Sequence, residues 1–154
     1  MKLKIISTTV ALTLCQLLSA AQADPVVAGT SEPSEATKAV PRLNIAWNCG
    51  GCTQNDKVIP LIEQAYSNEA AKNGKVISET ETAEVAIVSY RQRNPGARVM
   101  LGIMAGKDTL GLKITYNGSE LSVSDYSANA MQGMNYLCES VAKQAFKKIS
   151  GAIK

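Results

Sequence analysis

Cys49 and Cys52, on either side of Gly50-Gly51, are the residues whose type and spacing could support chemistry; a further thiol, Cys138, lies far along the chain. In an oxidising compartment the default is a disulfide, either Cys49 to Cys52 or one of these to Cys138. The same pair could instead cycle as a thiol–disulfide couple, which needs a stabilised thiolate. Three thiolates fall one short of a closed zinc site, and the chain has no histidine to complete it. Copper(I) held by thiolate and methionine is a conceivable metal site, but neither a metal nor another cofactor is expected. The absence of histidine also removes Ser-His-Asp and Cys-His catalysis.

Other groups could take part in binding. Trp47 ends an apolar run directly before the cysteines. Arg91, Arg93 and Arg98 flank the turn signal Asn94-Pro95-Gly96. They read as a solvated edge that could also dock an acidic partner through guanidinium groups. Gly102 and Gly106-Lys107 are one residue too close for a phosphate-binding loop, and Asp108 stands where a hydroxyl residue is needed, so a tight strand connection is expected. Met131 and Met134 read as core filling.

The N-terminus points to a compartment. Lys2 and Lys4 precede an apolar run, residues 5–18, and Ala21-Gln22-Ala23 ends it, the pattern of a secretory signal peptide over residues 1–23 cleaved near Ala23. Leu14 sits where a lipidation signal needs a small residue, so Cys15 reads as part of the cleaved segment. Removing 23 of the 154 residues leaves 131, enough for one hydrophobic core. No membrane-spanning segment is expected after cleavage. Lys2 and Lys4 leave with the signal, so the 16 basic residues fall to 14 against 13 acidic ones. That balance gives no electrostatic reason to expect nucleic acid or an anionic membrane as partner.

The elements that must position the cysteines follow from periodicity. Residues 24–41 are rich in proline and small polar residues and read as a flexible leader to a single domain over residues 42–154. Leu43, Ile45 and Trp47 alternate as a strand. Residues 56–73 carry a helical apolar stripe, with Asp56 as the expected N-cap and Asn73-Gly74 as the stop. Residues 75–78 and 84–91 read as strands around a polar turn at 79–83, and 98–104 as another apolar run. Leu110, Leu112, Ile114 and Tyr116 alternate before Asn117-Gly118, a strong hairpin signal, and Leu121 and Val123 resume beyond it. Met131 to Ile149 recur at helical spacing, with Cys138 on the apolar stripe. An α+β fold results: a mainly antiparallel sheet of four to six strands with two helices on one face, in the order strand, helix, four strands, helix.

Two resemblances add expectations. Trp47-Asn48-Cys49-Gly50-Gly51-Cys52, between a strand and a helix, resembles the active-site motif of the thioredoxin family, which implies a redox pair; here Thr53-Gln54-Asn55 separate the motif from the helix. From Ala83 onward, through Ala83 to Val88, Arg91 to Gly102, Leu110 to Tyr116 and the closing helix, the chain resembles a loosely defined family of small bacterial envelope proteins of unknown function. That resemblance implies a periplasmic α+β accessory module and brings no catalytic residues. The expectation is therefore a non-enzymatic periplasmic or secreted module that binds another envelope protein and is stiffened by a Cys49–Cys52 disulfide. The alternative is a thiol-disulfide oxidoreductase using the same pair. Cys138 would be inert if buried and could link two chains if exposed.

Overall fold

The computed structural model describes residues 39–101, 104, 106–129 and 131–153. The expected signal peptide and nearly all of the leader lie outside the described residues, as does the side chain of Arg98. The described chain runs β1 (Ala39–Trp47), α1 (Val58–Lys72), β2 (Val76–Arg91), α2 (Pro95–Leu101), β3 (Asp108–Tyr116), β4 (Ser119–Ser127) and α3 (Met134–Ala152). The fold is α+β. Its four strands lie in the order β1-β2-β3-β4, with β1 parallel to β2 and both other pairs antiparallel.

Local sequence explains most boundaries. The hairpin turn at Asn117-Gly118 takes φ values of 49° and 74°, the left-handed pair that a two-residue hairpin needs. α1 stops at Gly74, φ 63°, where the Lys75 and Gly74 N–H groups donate to the Ala70 and Ala71 carbonyls, satisfying the last turn. The start of α1 differs from the expected cap. Asn55, not Asp56, turns the chain inward: its Oδ1 accepts from the Lys57 N–H at 3.0 Å and its carbonyl from Val58 N–H at 3.0 Å.

Three further expectations change. β1 already includes Ala39, ahead of the strand start expected near residue 42, and Pro41 is accommodated because β1 is an edge strand of the described sheet. The polar turn expected at 79–83 lies inside the single long strand β2. There the register jumps from Val40–Ile77 to Arg42–Thr82, looping out residues 78–81, whose Thr80 and Glu81 N–H groups donate to Ser78 Oγ. Finally, Asn94-Pro95-Gly96 starts the helix α2 instead of a turn before a strand. Asn94 Oδ1 caps the Gly96 N–H at 2.8 Å, and Pro95 takes the first helical position, where its missing N–H costs nothing.

The core fills one side of the sheet. Leu43 of β1, Ala83, Val85 and Ile87 of β2, Leu110, Leu112 and Ile114 of β3 and Val123 of β4 meet Ile62 and Tyr66 of α1 and Leu137, Val141 and Phe146 of α3. α1 and α3 also pack on each other, and Tyr66 meets Phe146 edge-on at 6.0 Å. Among the described residues the buried cluster runs from Val40 to Ile149, so a chain beginning at Asp24 keeps all of it. Among the described residues no helix is long and apolar enough to cross a membrane.

One buried polar contact fastens the irregular edge strand. Tyr66 is 2% exposed, and its hydroxyl donates to the Pro41 carbonyl at 3.1 Å. Burial, with Tyr116 nearby, pushes its phenol well above the ordinary value, so it stays protonated as the donor this contact needs. Tyr66→Phe should leave that carbonyl without its donor and lower stability by about 1–3 kcal/mol, read as a lower urea midpoint at unchanged slope.

Candidate functional site

The ends of all four strands that carry Trp47, Arg91, Asp108 and Ser127 gather at one end of the sheet, through the pairings Trp47–Ile87, Arg91–Thr109 and Asp108–Ser127. A bulge in β2 shapes this end. Ile87 pairs with Leu112, but Ser89 pairs with Gly111, so Val88 is an extra residue. The bulge shifts the alternation by one, placing Tyr90 rather than Ser89 on the helix-covered side. There Tyr90 meets Trp47 edge-on at 5.2 Å. Gly111 accepts the crowding opposite: a Cβ there would lie 3.2 Å from Ser89 Cβ.

Beyond Trp47 the chain stays paired for one more residue, with the Asn48 N–H donating to the Ile87 carbonyl at 2.9 Å. Gly50, φ 62°, then lets the chain reverse, and Cys49 and Cys52 are joined in a disulfide with Cα atoms 5.7 Å apart. The expected pairing is therefore present. Residues 53–57 lead from Cys52 to the first turn of α1 and are clasped to the end of β2. Gln92 Oε1 accepts from Asn55 Nδ2 at 3.0 Å and from the Tyr90 hydroxyl at 2.8 Å. Partial burial raises the Tyr90 phenol, and the Asn55 side chain partly offsets it, so the hydroxyl remains a donor to Gln92.

Between these two walls lies an open cleft of about 840 Å³. One wall is Gly51, Cys52 and residues 53–57; the other is residues 90–95. The lining carries amides and hydroxyls from Thr53, Gln54, Asn55, Gln92 and Asn94, with Lys57 and Arg91 as cations and Asp56 as an anion. Such a surface can hold the backbone and side-chain groups of an extended polypeptide. Neither sulfur sits in the first turn of α1, because residues 53–57 intervene, so the helix dipole does little to favour a thiolate.

The expected arginine cluster is divided. Arg91 is exposed beside the cleft, its Nη2 close against Gly106. Arg93 is no solvated edge: its side chain is 2% exposed, and Asp108, 0% exposed, takes its Nη2 at 3.0 Å on one carboxylate oxygen and its backbone N–H at 2.6 Å on the other. The guanidinium also donates to the carbonyls of Gly106, Ser127, Ala128 and Asn129 at 2.9–3.3 Å. A planar fork can reach so many acceptors where an ammonium cannot. Trp47 is half-buried and acts as a wall for Tyr90, not as a cleft residue. Cys138 is buried on α3, where its thiol lies 3.9 Å from the Val58 carbonyl and takes no part in the disulfide. Burial pushes that thiol up to about 12. Met134 joins the core as expected, whereas Met131 is 91% exposed.

Sequence reasoning missed the clasp of Asn55, Tyr90 and Gln92 and the partner of Arg93. Asp108 could have been found from parity, because it shares the alternation of Leu110, Leu112 and Ile114. Among the described residues no cluster of histidine, cysteine or carboxylate residues suits a metal ion.

No family model matches the chain, and no curated protein matches its sequence. Solved structures do resemble it. One is the PelC dodecamer from Paraburkholderia phytofirmans, 14% identical, covering 72% of this chain and 87% of that one, with a TM-score of 0.49. Another is a ribosomal subunit interface protein from Coxiella burnetii, 9% identical, covering 71% of this chain and 94% of that one, with a TM-score of 0.39. At these scores neither likeness carries a function to this chain.

Three outcomes test this geometry. Arg93→Ala should cost about 3–5 kcal/mol by leaving Asp108 uncompensated, and Arg93→Lys should recover only part of it; both are read by denaturant unfolding. Near the ordinary thiol value of 9.0, Cys138 should resist alkylation in the folded chain and react only as the chain unfolds. Raised in the fold, this group contributes stability below pH 9.0 that is lost as pH climbs towards 12, and Cys138→Ala should flatten that part of the profile.

Proposed function

We propose that this chain is a non-enzymatic accessory module of the bacterial cell envelope, exported to the periplasm, whose cleft holds a segment of another envelope protein. The observation that carries the reading is the placement of the disulfide. Cys52 forms part of the cleft wall, and the loop after it is fastened across to Gln92 and Tyr90. A bridge in that position stiffens a binding rim and lowers the entropy lost when a partner settles there. The amide-rich lining, with Lys57 and Arg91 as cations and Asp56 as an anion, suits an extended segment rich in backbone and polar groups. The apolar leader ending Ala21-Gln22-Ala23 supports export, and the resemblance of the second half of the chain to small envelope proteins supports the compartment.

The second reading, a thiol-disulfide oxidoreductase, draws on the half-buried position of the same bridge, with Cys52 in the cleft wall. Against it stands the separation of both sulfurs from the first turn of α1, which leaves the thiolate without the stabilisation that a cycling pair requires.

The two readings part under graded glutathione poise followed by alkylation and mass spectrometry. The module reading expects Cys49–Cys52 to stay closed down to about −300 mV and insulin to go unreduced. Opening at a mild poise, together with insulin turnover, would hand the site to the oxidoreductase. A photo-crosslinking residue at Gln54 should then capture an envelope protein that the same residue at Lys113, on the uncovered side of the sheet, does not. Equal capture from both positions would remove the cleft from the proposal.

A further inference from the structure

The strand ends that bear the cleft also carry a surface of a different kind. Val99, Met100 and Leu101 of α2 are 78%, 86% and 57% exposed, and Met104 just beyond them is 90% exposed. Met131 is 91% exposed. The Arg93 guanidinium draws the two segments to one place, since it holds the carbonyl of Gly106, two residues past Met104, and that of Asn129, two residues before Met131. Asn129 Oδ1 in turn accepts from the Met131 N–H at 2.9 Å. Two apolar prongs thus rise from one buried ionic anchor.

We infer that this tip inserts into the surface of an anionic lipid bilayer. Successive helical residues point about 100° apart, so Val99, Met100 and Leu101 together face some 200° of the α2 circumference. A protein partner with a flat or single-sided contact covers only part of such an arc, whereas acyl chains and headgroups close around it. The charges beside it complement phosphate. Residues 91–107 contain Arg91, Arg93, Arg98 and Lys107 and no carboxylate, and residues 128–138 carry no charge. Arg93 is engaged by Asp108, and Arg91 and Lys107 are the exposed cations described beside the tip. The Lys107 ammonium lies 4.2 Å from the centre of the Tyr126 ring, itself 58% exposed, a cation and an aromatic paired as at membrane–water boundaries. The near-neutral total charge therefore conceals a local excess of positive charge at the apolar tip. Short apolar insertion with a basic rim gives reversible, lipid-dependent attachment, distinct from a membrane span.

The test is co-sedimentation of residues 24–154 with sucrose-loaded vesicles, either phosphatidylglycerol mixed with phosphatidylethanolamine or phosphatidylcholine alone. The chain should sediment with the anionic vesicles, and binding should weaken as salt shortens the screening length from about 10 Å at 0.1 M to about 3 Å at 1 M. Met100→Ser and Met131→Ser should each reduce partitioning about tenfold, and Arg91→Gln with Lys107→Gln should abolish the preference for anionic lipid. All four positions are outside the core, so an unchanged thermal midpoint would show that each variant is folded. Sedimentation unaffected by these substitutions, or equal on both lipids, would overturn the inference. So would binding to neither vesicle, or a dimer in solution that Met100→Ser disperses, which would give the tip to a second copy of the chain.

Discussion

A guanidinium taken out of water must find a carboxylate and enough carbonyls, or the fold cannot close around it. Arg93 meets that demand with Asp108 and four backbone oxygens, and in doing so connects segments far apart in sequence. Asp108 opens β3, residues 127–129 close β4, and Gly106 ends the chain that returns from α2. Their arrangement depends on an ionic contact, while the opposite end of the sheet is held mainly by hydrophobic packing. Replacement by an apolar group of similar size would leave those carbonyls without donors, so the charge is specific to this geometry.

The second constraint is the extra residue Val88. Without it, strand alternation would send Tyr90 to the uncovered side of the sheet and take the Gln92 clasp with it. One inserted residue thus links sheet register to the position of the disulfide loop. Gly111 is the complement of that insertion, because its missing side chain lets Ser89 and Ser124 approach. Cleft geometry is therefore a property of β2 and β3 as much as of the cysteines.

Regular elements with a strong period were legible in the sequence: β3 and β4 from alternation and Asn117-Gly118, α1 and α3 from their stripes, the Cys49–Cys52 bridge from spacing. What escaped depends on contacts between distant residues. Asn94-Pro95-Gly96 carries signals for both a turn and a helix start, and the Asn94 side chain decides for the helix. Residues 78–81 have the polarity of a turn, yet pairing on both sides continues the strand. Arg93 resembled Arg91 and Arg98 in the sequence because charge alone does not reveal burial; only the parity of Asp108 hinted at it. The clasp at Gln92 has no local signature at all.

The disulfide joins residues three apart in sequence, while Cys138 is shut into the core by α3. A local pair of this kind can close on a chain that has not yet folded, since its ends meet on the timescale of short-loop diffusion. Cys138 is open to exchange only until α3 docks. Among the described residues the three cysteines are thereby separated by place: a local pair whose ends meet readily, and a thiol that docking of α3 removes from long-range mispairing.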